Sequence, residues 1–199
     1  MQPTVRFCGC QPLSLTGFSE RLSMALYRKI PNDPDPSYTK AKNAALRLLS
    51  YRARSENEVR RRLQDRFTNS AIEKALCSLR NEGLVNDSTF AKQWREQRER
   101  YRPKGPAIIS QELRKLGVDR EVIQDALSGF DSAANAYKAG SKYASKLSAA
   151  NHTVFKRKLG GFLQRRGFNG EVLGQTVERI WSELFDPLGG TINGDSQYD

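Results

Sequence analysis

Histidine is nearly missing from this sequence: His152 is the one histidine in 199 residues, beside three cysteines, two tryptophans and two methionines. General acid–base catalysis by imidazole, or a His/Cys metal site, therefore has almost no material to work with. His152 has no identifiable carboxylate or cysteine partner in the sequence and is expected to be a surface or loop residue. Cys8 and Cys10 lie in a poorly patterned arm, and Cys77 reads as a small apolar residue on a helix, so no disulfide framework is present and a reducing compartment is the simpler reading. Apolar runs are short. None approaches the roughly 20 residues that span a bilayer, and no charged segment precedes an apolar core with a cleavage site. The expectation is a cytoplasmic protein with no membrane segment. No phosphate-cradling loop is present either, because Gly160-Gly161 lacks the Gly-Lys-Ser/Thr pattern. Glu56 and Glu58, two apart on a helix, face different ways and are first-turn charges rather than an acid–base pair. No catalytic residue, cofactor or metal is expected, and the chain is not read as an enzyme.

Acids are scarce where bases are dense. The net charge is +11, with nine bases against three acids from Lys40 to Arg66 and eight against three from Lys92 to Lys115. Between Asp131 and Glu171 there is no acid. Such a charge attracts polyanions, either nucleic acid or an acidic protein surface. Hydrophobic residues make up 38% and charged ones 28%, enough for small cores but lean for one large globule.

Helix signals fill the middle of the chain. Ala41, Ala44, Ala45, Leu48 and Leu49 fall three and four apart, which buries one helix face and leaves Lys42 and Arg47 wet. Ser55 with Glu58 makes a capping box ahead of Val59, Leu63 and Phe67, and Ser70 with Glu73 repeats it ahead of Ala75, Leu76 and Leu79. Gly83 ends the third helix. Asp87 caps a fourth, with Phe90, Ala91, Trp94 and Tyr101 inward and Lys92, Arg95, Arg98 and Arg102 outward or marginal, until Pro103 and Gly105-Pro106 stop it. Gly117 closes a fifth helix and Asp119 caps a sixth. Asp131 or Ser132 opens a seventh, Phe155, Leu159, Phe162 and Leu163 mark an eighth, and a ninth runs from Asn169.

A shift of fifty residues lays Leu113 on Leu163, Gly117-Val118 on Gly167-Phe168, and Leu127 on Val177. With one residue deleted, Leu63, Phe67, Ile72 and Leu76 fall under the same positions. This is an internal repeat. The expected fold is all-α, three tandem three-helix units with nine helices in an elongated, curved repeat protein. The expected divisions are a flexible arm and Pro-rich linker over 1–38, units over 39–86, 87–130 and 131–185, and a disordered acidic tail over 186–199. The arm carries a possible short helix over 19–29.

The order of certain residues resembles the RecX family, regulators of the bacterial recombinase RecA. Leu49-Ser50 with Arg52, Arg54, Ser55, Glu58 and Val59 are similar to that family's first signature. Gly83-Leu84-Val85-Asn86-Asp87, Phe90-Ala91 and Trp94 are similar to its second, and Gly105, Glu112-Leu113, Gly117-Val118, Ile123 and Leu127 to its third. The chain departs at Trp94, where a tyrosine is usual, at Asp65-Arg66-Phe67, where a Lys-Gly-like turn is usual, and in its long arm. The resemblance implies a tandem of three-helix units that binds RecA filaments on single-stranded DNA, lies in the filament groove and inhibits ATP hydrolysis, strand exchange and repressor co-cleavage. Homologous recombination, DNA repair and the SOS response would be restrained stoichiometrically, by a monomer.

The contact surface is expected at Arg52, Arg54, Arg60 and Arg61, at Arg95, Arg98, Arg102, Lys104 and Arg114, and at Lys156, Arg157, Lys158, Arg165 and Arg166. Arginine suits bidentate pairing with carboxylate or phosphate. The rival is a direct DNA-binding regulator, since a three-helix unit with arginines on its second or third helix looks like a helix-turn-helix. An RNA- or ribosome-associated basic protein is a third reading.

Overall fold

A computed structural model describes residues 36–147 and 151–185. The arm, its possible helix over 19–29, Cys8, Cys10 and the tail over 186–199 lie outside the described residues. Those described form nine helices and no strand: α1 Pro36–Tyr51, α2 Glu56–Leu63, α3 Asn69–Asn81, α4 Asp87–Tyr101, α5 Pro106–Lys115, α6 Arg120–Leu127, α7 Ser132–Ala144, α8 His152–Arg165 and α9 Gly170–Phe185. The fold is the expected all-α series of three-helix units.

The caps show why the helices start where they do. Ser55 accepts the Glu58 N–H at 3.1 Å, but Glu58 does not reach back, because Arg52 and Arg54 take its carboxylate instead. The cap of α3 is Thr68 rather than Ser70, accepting from the Ala71 N–H; the competing hydroxyl two residues earlier wins. For α4 the Asn86 side chain accepts the Thr89 N–H at 2.9 Å, and Asp87 turns instead to the Glu56 N–H at 2.8 Å. Asp131 and Asn169 accept from Ala134 and Val172 as expected. Pro36, assigned to the linker from sequence, is the first residue of α1, where a missing N–H costs nothing.

By compactness the described residues divide into two units, one of 36–91 with 114–122, the other of 92–113 with 123–147 and 151–185. In the first, Ala45, Leu46, Leu49, Val59, Leu63, Ile72, Leu76 and Leu79 close a core that Leu84 and Val85 seal. Tyr38, Ala41, Ala71 and Ala75 extend α1 along α3. Burying each leucine fully stabilises by about 1.5–3 kcal/mol. Lys42 is not wet. It is 7% exposed, and its ammonium meets Glu82 and, at 2.9 Å, the Ser78 hydroxyl, which offsets its desolvation.

In the second unit, Ala136, Ala139, Phe155, Leu159, Leu163, Phe168, Val177 and Ile180 form the core. Trp181 packs edge-on to Phe155 at 5.1 Å and close to Phe185 at 4.2 Å between centroids. His152 does have a carboxylate partner, Glu178 at 2.9 Å, which Lys156 shares at the same distance. The pair sits 26 positions apart, on α8 and α9, beyond the reach of any local pattern.

Candidate functional site

Two loops position the basic residues. The first, residues 52–55, leads from α1 into α2, and the second, 102–105, leads from α4 into α5. Each is anchored to a turn that follows a later helix. In the first unit Ser55, fully buried, donates its hydroxyl to the Leu116 carbonyl while still capping α2. In the second unit the Gly105 N–H donates to the Arg166 carbonyl at 2.7 Å. Gly117 and Gly167 follow those two carbonyls, with φ of 79° and 85°.

Charge around the first loop is nearly balanced. Arg54, 9% exposed at its side chain, donates to the Leu48 carbonyl at 3.0 Å and pairs with Glu58. Arg52 pairs with the same carboxylate and donates to the Ala53 carbonyl at 3.1 Å. Arg60 lies between Glu73 and Glu56, both at 2.8 Å, and its hydrogen bond to Glu73, against the cost of burial, raises its pKa further above the ordinary arginine value. Arg61 is exposed and Arg114 likewise. Neither makes a side-chain hydrogen bond or ion pair with a described residue.

Around the second loop the hub is Glu112. It accepts from Trp94 Nε1 at 2.9 Å and Arg98 Nε at 2.8 Å, and pairs with Lys104. Burial opposes its charge, but the bonds from Lys104, Arg98 and Trp94 outweigh burial and hold its carboxyl below the usual range. The Arg98 guanidinium also lies 4.3 Å from the Trp94 ring centroid. Arg95, expected outward or marginal, donates to the Ala126 carbonyl at 2.8 Å. Arg102 is exposed and makes no side-chain bond with a described residue.

On α8 the cations diverge. Lys156 is tied to Glu178, whereas Arg157, Lys158 and Arg165 are exposed and make no ion pair with a described residue. Arg166, just past the helix, donates to the Pro103 carbonyl at 2.9 Å and lies 4.6 Å from the Phe162 ring centroid. Phe162 in turn stacks on Tyr143 at 4.0 Å. Of the fourteen basic residues chosen from sequence, Arg54, Arg60, Arg95, Arg98 and Lys104 are therefore engaged in holding the fold. Arg61, Arg102, Arg114, Arg157, Lys158 and Arg165 are exposed and make no side-chain bond with a described residue.

Tyr101 falls outside the sequence reading. Its place seven residues after Trp94 put it on the inward face, yet it is 67% exposed, because as the last residue of α4 it has run past the core. Glu112 gave no signal as a hub: its partners stand 18, 14 and 8 positions away.

The comparisons with known proteins agree on one family. Residues 41–79 match the first three-helix domain of RecX, 86–127 the second and 131–175 the third. A protein of Mycolicibacterium smegmatis named "Regulatory protein RecX" is 37% identical over 145 residues, 69% of this chain and 77% of that one. Another of that name, from Chlorobium phaeobacteroides, is 34% identical over 148 residues, 74% of this chain and 97% of its own length. The crystal structure of RecX from Lactobacillus salivarius superposes with a TM-score of 0.66 at 26% identity, covering 72% of this chain and 96% of that one.

Proposed function

This chain belongs to the RecX family of regulatory proteins, and from that premise we propose that it binds RecA filaments on single-stranded DNA and inhibits their ATP hydrolysis and strand exchange. The contact is stoichiometric and requires no chemistry of its own. Recombinational repair and the SOS response would be restrained while it is bound. The observation that carries the reading is that, of the fourteen basic residues chosen, six are exposed and make no ion pair with a described residue: Arg61 and Arg114 in one unit and Arg102, Arg157, Lys158 and Arg165 in the other. Exposed cations without a counter-charge suit an acidic protein surface or DNA phosphate.

The test is single-stranded-DNA-dependent ATP hydrolysis by the cognate RecA, titrated with this protein and with Arg157→Glu/Lys158→Glu/Arg165→Glu. These three side chains hold nothing in place, so the variant should fold. Wild-type protein should suppress hydrolysis at or below stoichiometry, and the variant should need about tenfold more, a loss of about 1.4 kcal/mol. Unchanged hydrolysis at excess wild-type protein, with tight binding to naked DNA, would sink this reading in favour of a direct DNA-binding regulator.

A further inference from the structure

The end of α4 brings together three features. Tyr101 is 67% exposed, a ring presented to water where a buried one would stabilise more. Arg102 follows it, exposed, with no side-chain partner among the described residues. Pro103 comes next, and its carbonyl receives Arg166 at 2.9 Å. A second guanidinium is thus pinned to the same three-residue segment from another helix.

Arg166 is a preorganised donor. Its anchors are the Pro103 carbonyl on one Nη and the Phe162 ring 4.6 Å away, with Phe162 fixed against Tyr143. A guanidinium carries five N–H groups, and only one of these is bonded to a described residue, so the others are available. The nearest acidic hub does not neutralise the pair, since Glu112 is filled by Trp94, Arg98 and Lys104. Burial, and then the charge of Arg102, lower the Arg166 pKa. Arg102 immediately precedes the residue whose carbonyl holds Arg166, so both cations are tied to one short segment, and an anion bound there would offset their like charge.

We propose that Tyr101, Arg102 and Arg166 form a nucleotide subsite for single-stranded nucleic acid, the two guanidiniums taking one backbone phosphate and the Tyr101 ring stacking on an adjacent base. The ring decides between this ligand and an acidic peptide. Paired arginines alone serve carboxylate and phosphate equally, whereas an exposed aromatic beside them supplies the base-stacking half of single-strand recognition. The Arg100 guanidinium lies over the Tyr101 ring, 5.4 Å from its centroid, and adds charge there. This subsite deepens the proposed function by giving DNA, rather than RecA alone, a direct contact.

The experiment omits RecA. A fluorescein-labelled oligothymidylate is titrated with the full chain, and anisotropy is followed across a salt series. Tyr101→Ala should weaken binding about fivefold or more with the salt slope unchanged, since stacking contributes about 1–3 kcal/mol per base. Arg102→Ala should weaken binding and lower the slope by about 0.7, the value for one phosphate on a single strand. Arg47→Ala, the loss of one exposed charge outside the proposed contact surface, sets the background. Circular dichroism should find all three variants folded. Oligonucleotide binding that neither Tyr101→Ala nor Arg102→Ala changes more than Arg47→Ala overturns the subsite. So does a wild-type protein that fails to bind the oligonucleotide. If both variants lose RecA inhibition while binding the oligonucleotide normally, the surface meets protein: the subsite fails and the regulatory reading stands. Normal variant effects on the oligonucleotide with no action on RecA keep the subsite and remove the regulatory reading.

Discussion

Ser55 and Gly105 stand fifty positions apart at the same place in successive helix pairs, and each donates to a carbonyl 61 residues further on, Leu116 for one and Arg166 for the other. At the first joint the donor is a side chain. Ser55 is fully buried, bridges α2 to the turn after α5, and leaves a side chain's length between the two main chains. At the second joint the main chain itself donates, and nothing separates the loops. A Cβ built on Gly105 would lie 2.0 Å from the Gly167 carbonyl oxygen, and one on Gly167 would lie 2.5 Å from the Ile108 side chain and 2.9 Å from its backbone nitrogen. At the first joint the nearest atoms to the corresponding intruder, a Cβ on Gly117, are the Asn57 Cβ, Cγ and Nδ2, at 2.5 Å. One repeat can therefore hold the same position in two ways, with a hydroxyl or with the absence of a side chain.

That difference sets the largest expected effect. Gly105→Ala has no escape, because the atom it strikes is backbone; the loops must part and the Arg166 bond with them. We expect a loss of about 3 kcal/mol or more by chemical denaturation, at the upper end of overpacking costs. Gly117→Ala pays the left-handed backbone penalty of about 1–2 kcal/mol plus a displacement of Asn57. Asn57→Ala should recover only the share due to the Asn57 Cγ and Nδ2, because its Cβ stays 2.5 Å from the new methyl, and no single truncation should recover Gly105→Ala. Equal losses at positions 105 and 117 would erase the distinction between the joints.

The charges beside the two joints also differ, with an intermediate effect. Near the second, Glu112 draws Trp94, Arg98 and Lys104 to one carboxylate. Glu112→Gln leaves two half-buried cations short of a partner and should cost about 1–3 kcal/mol at neutral pH, the range for hydrogen bonds to charged groups. The folded pKa is depressed, so the stabilisation is present above the unfolded value near 4.3 and is lost as pH falls through the folded value. Wild type and variant should converge in acid. A difference that persists undiminished below about pH 3 would mean that shape, not charge, is what Glu112 supplies.

The helices and their apolar faces were legible in the sequence because they depend on neighbours three and four residues away; Leu113 and Leu163 are both fully buried where the fifty-residue shift laid one on the other. The site was legible only in part. The density of arginine was plain, but which arginines are spent on the fold depends on partners such as Glu112 for Lys104, Glu73 for Arg60 or the Ala126 carbonyl for Arg95, which tertiary packing supplies. Tyr101 shows the limit of periodicity. Position on a helix face fixes direction, and only the length of the neighbouring elements fixes whether anything is there to cover it.

The smallest effect, and the one opposite in sign, belongs to the first joint. Asp87 accepts the Glu56 N–H at 2.8 Å. Burial pushes its carboxyl above the usual value; the Glu56 N–H opposes this, and the charges of Glu56 and Asp119 add to it. A raised folded pKa means that the folded state prefers the proton: the favourable contribution is full below the unfolded value of about 3.9 and disappears as pH rises through the folded value. At neutral pH the charged Asp87 is thus retained at some cost to stability. Asp87→Asn keeps an oxygen to accept the Glu56 N–H and removes the repulsion, so it should leave stability at neutral pH unchanged or raise it by up to about 1 kcal/mol, within the usual range for such sites. The advantage should shrink in acid, mirroring Glu112→Gln. A loss above about 1 kcal/mol at neutral pH would show the negative charge itself to be stabilising beside the start of α2, where the helix dipole favours an anion, and would make the two joints electrostatically alike.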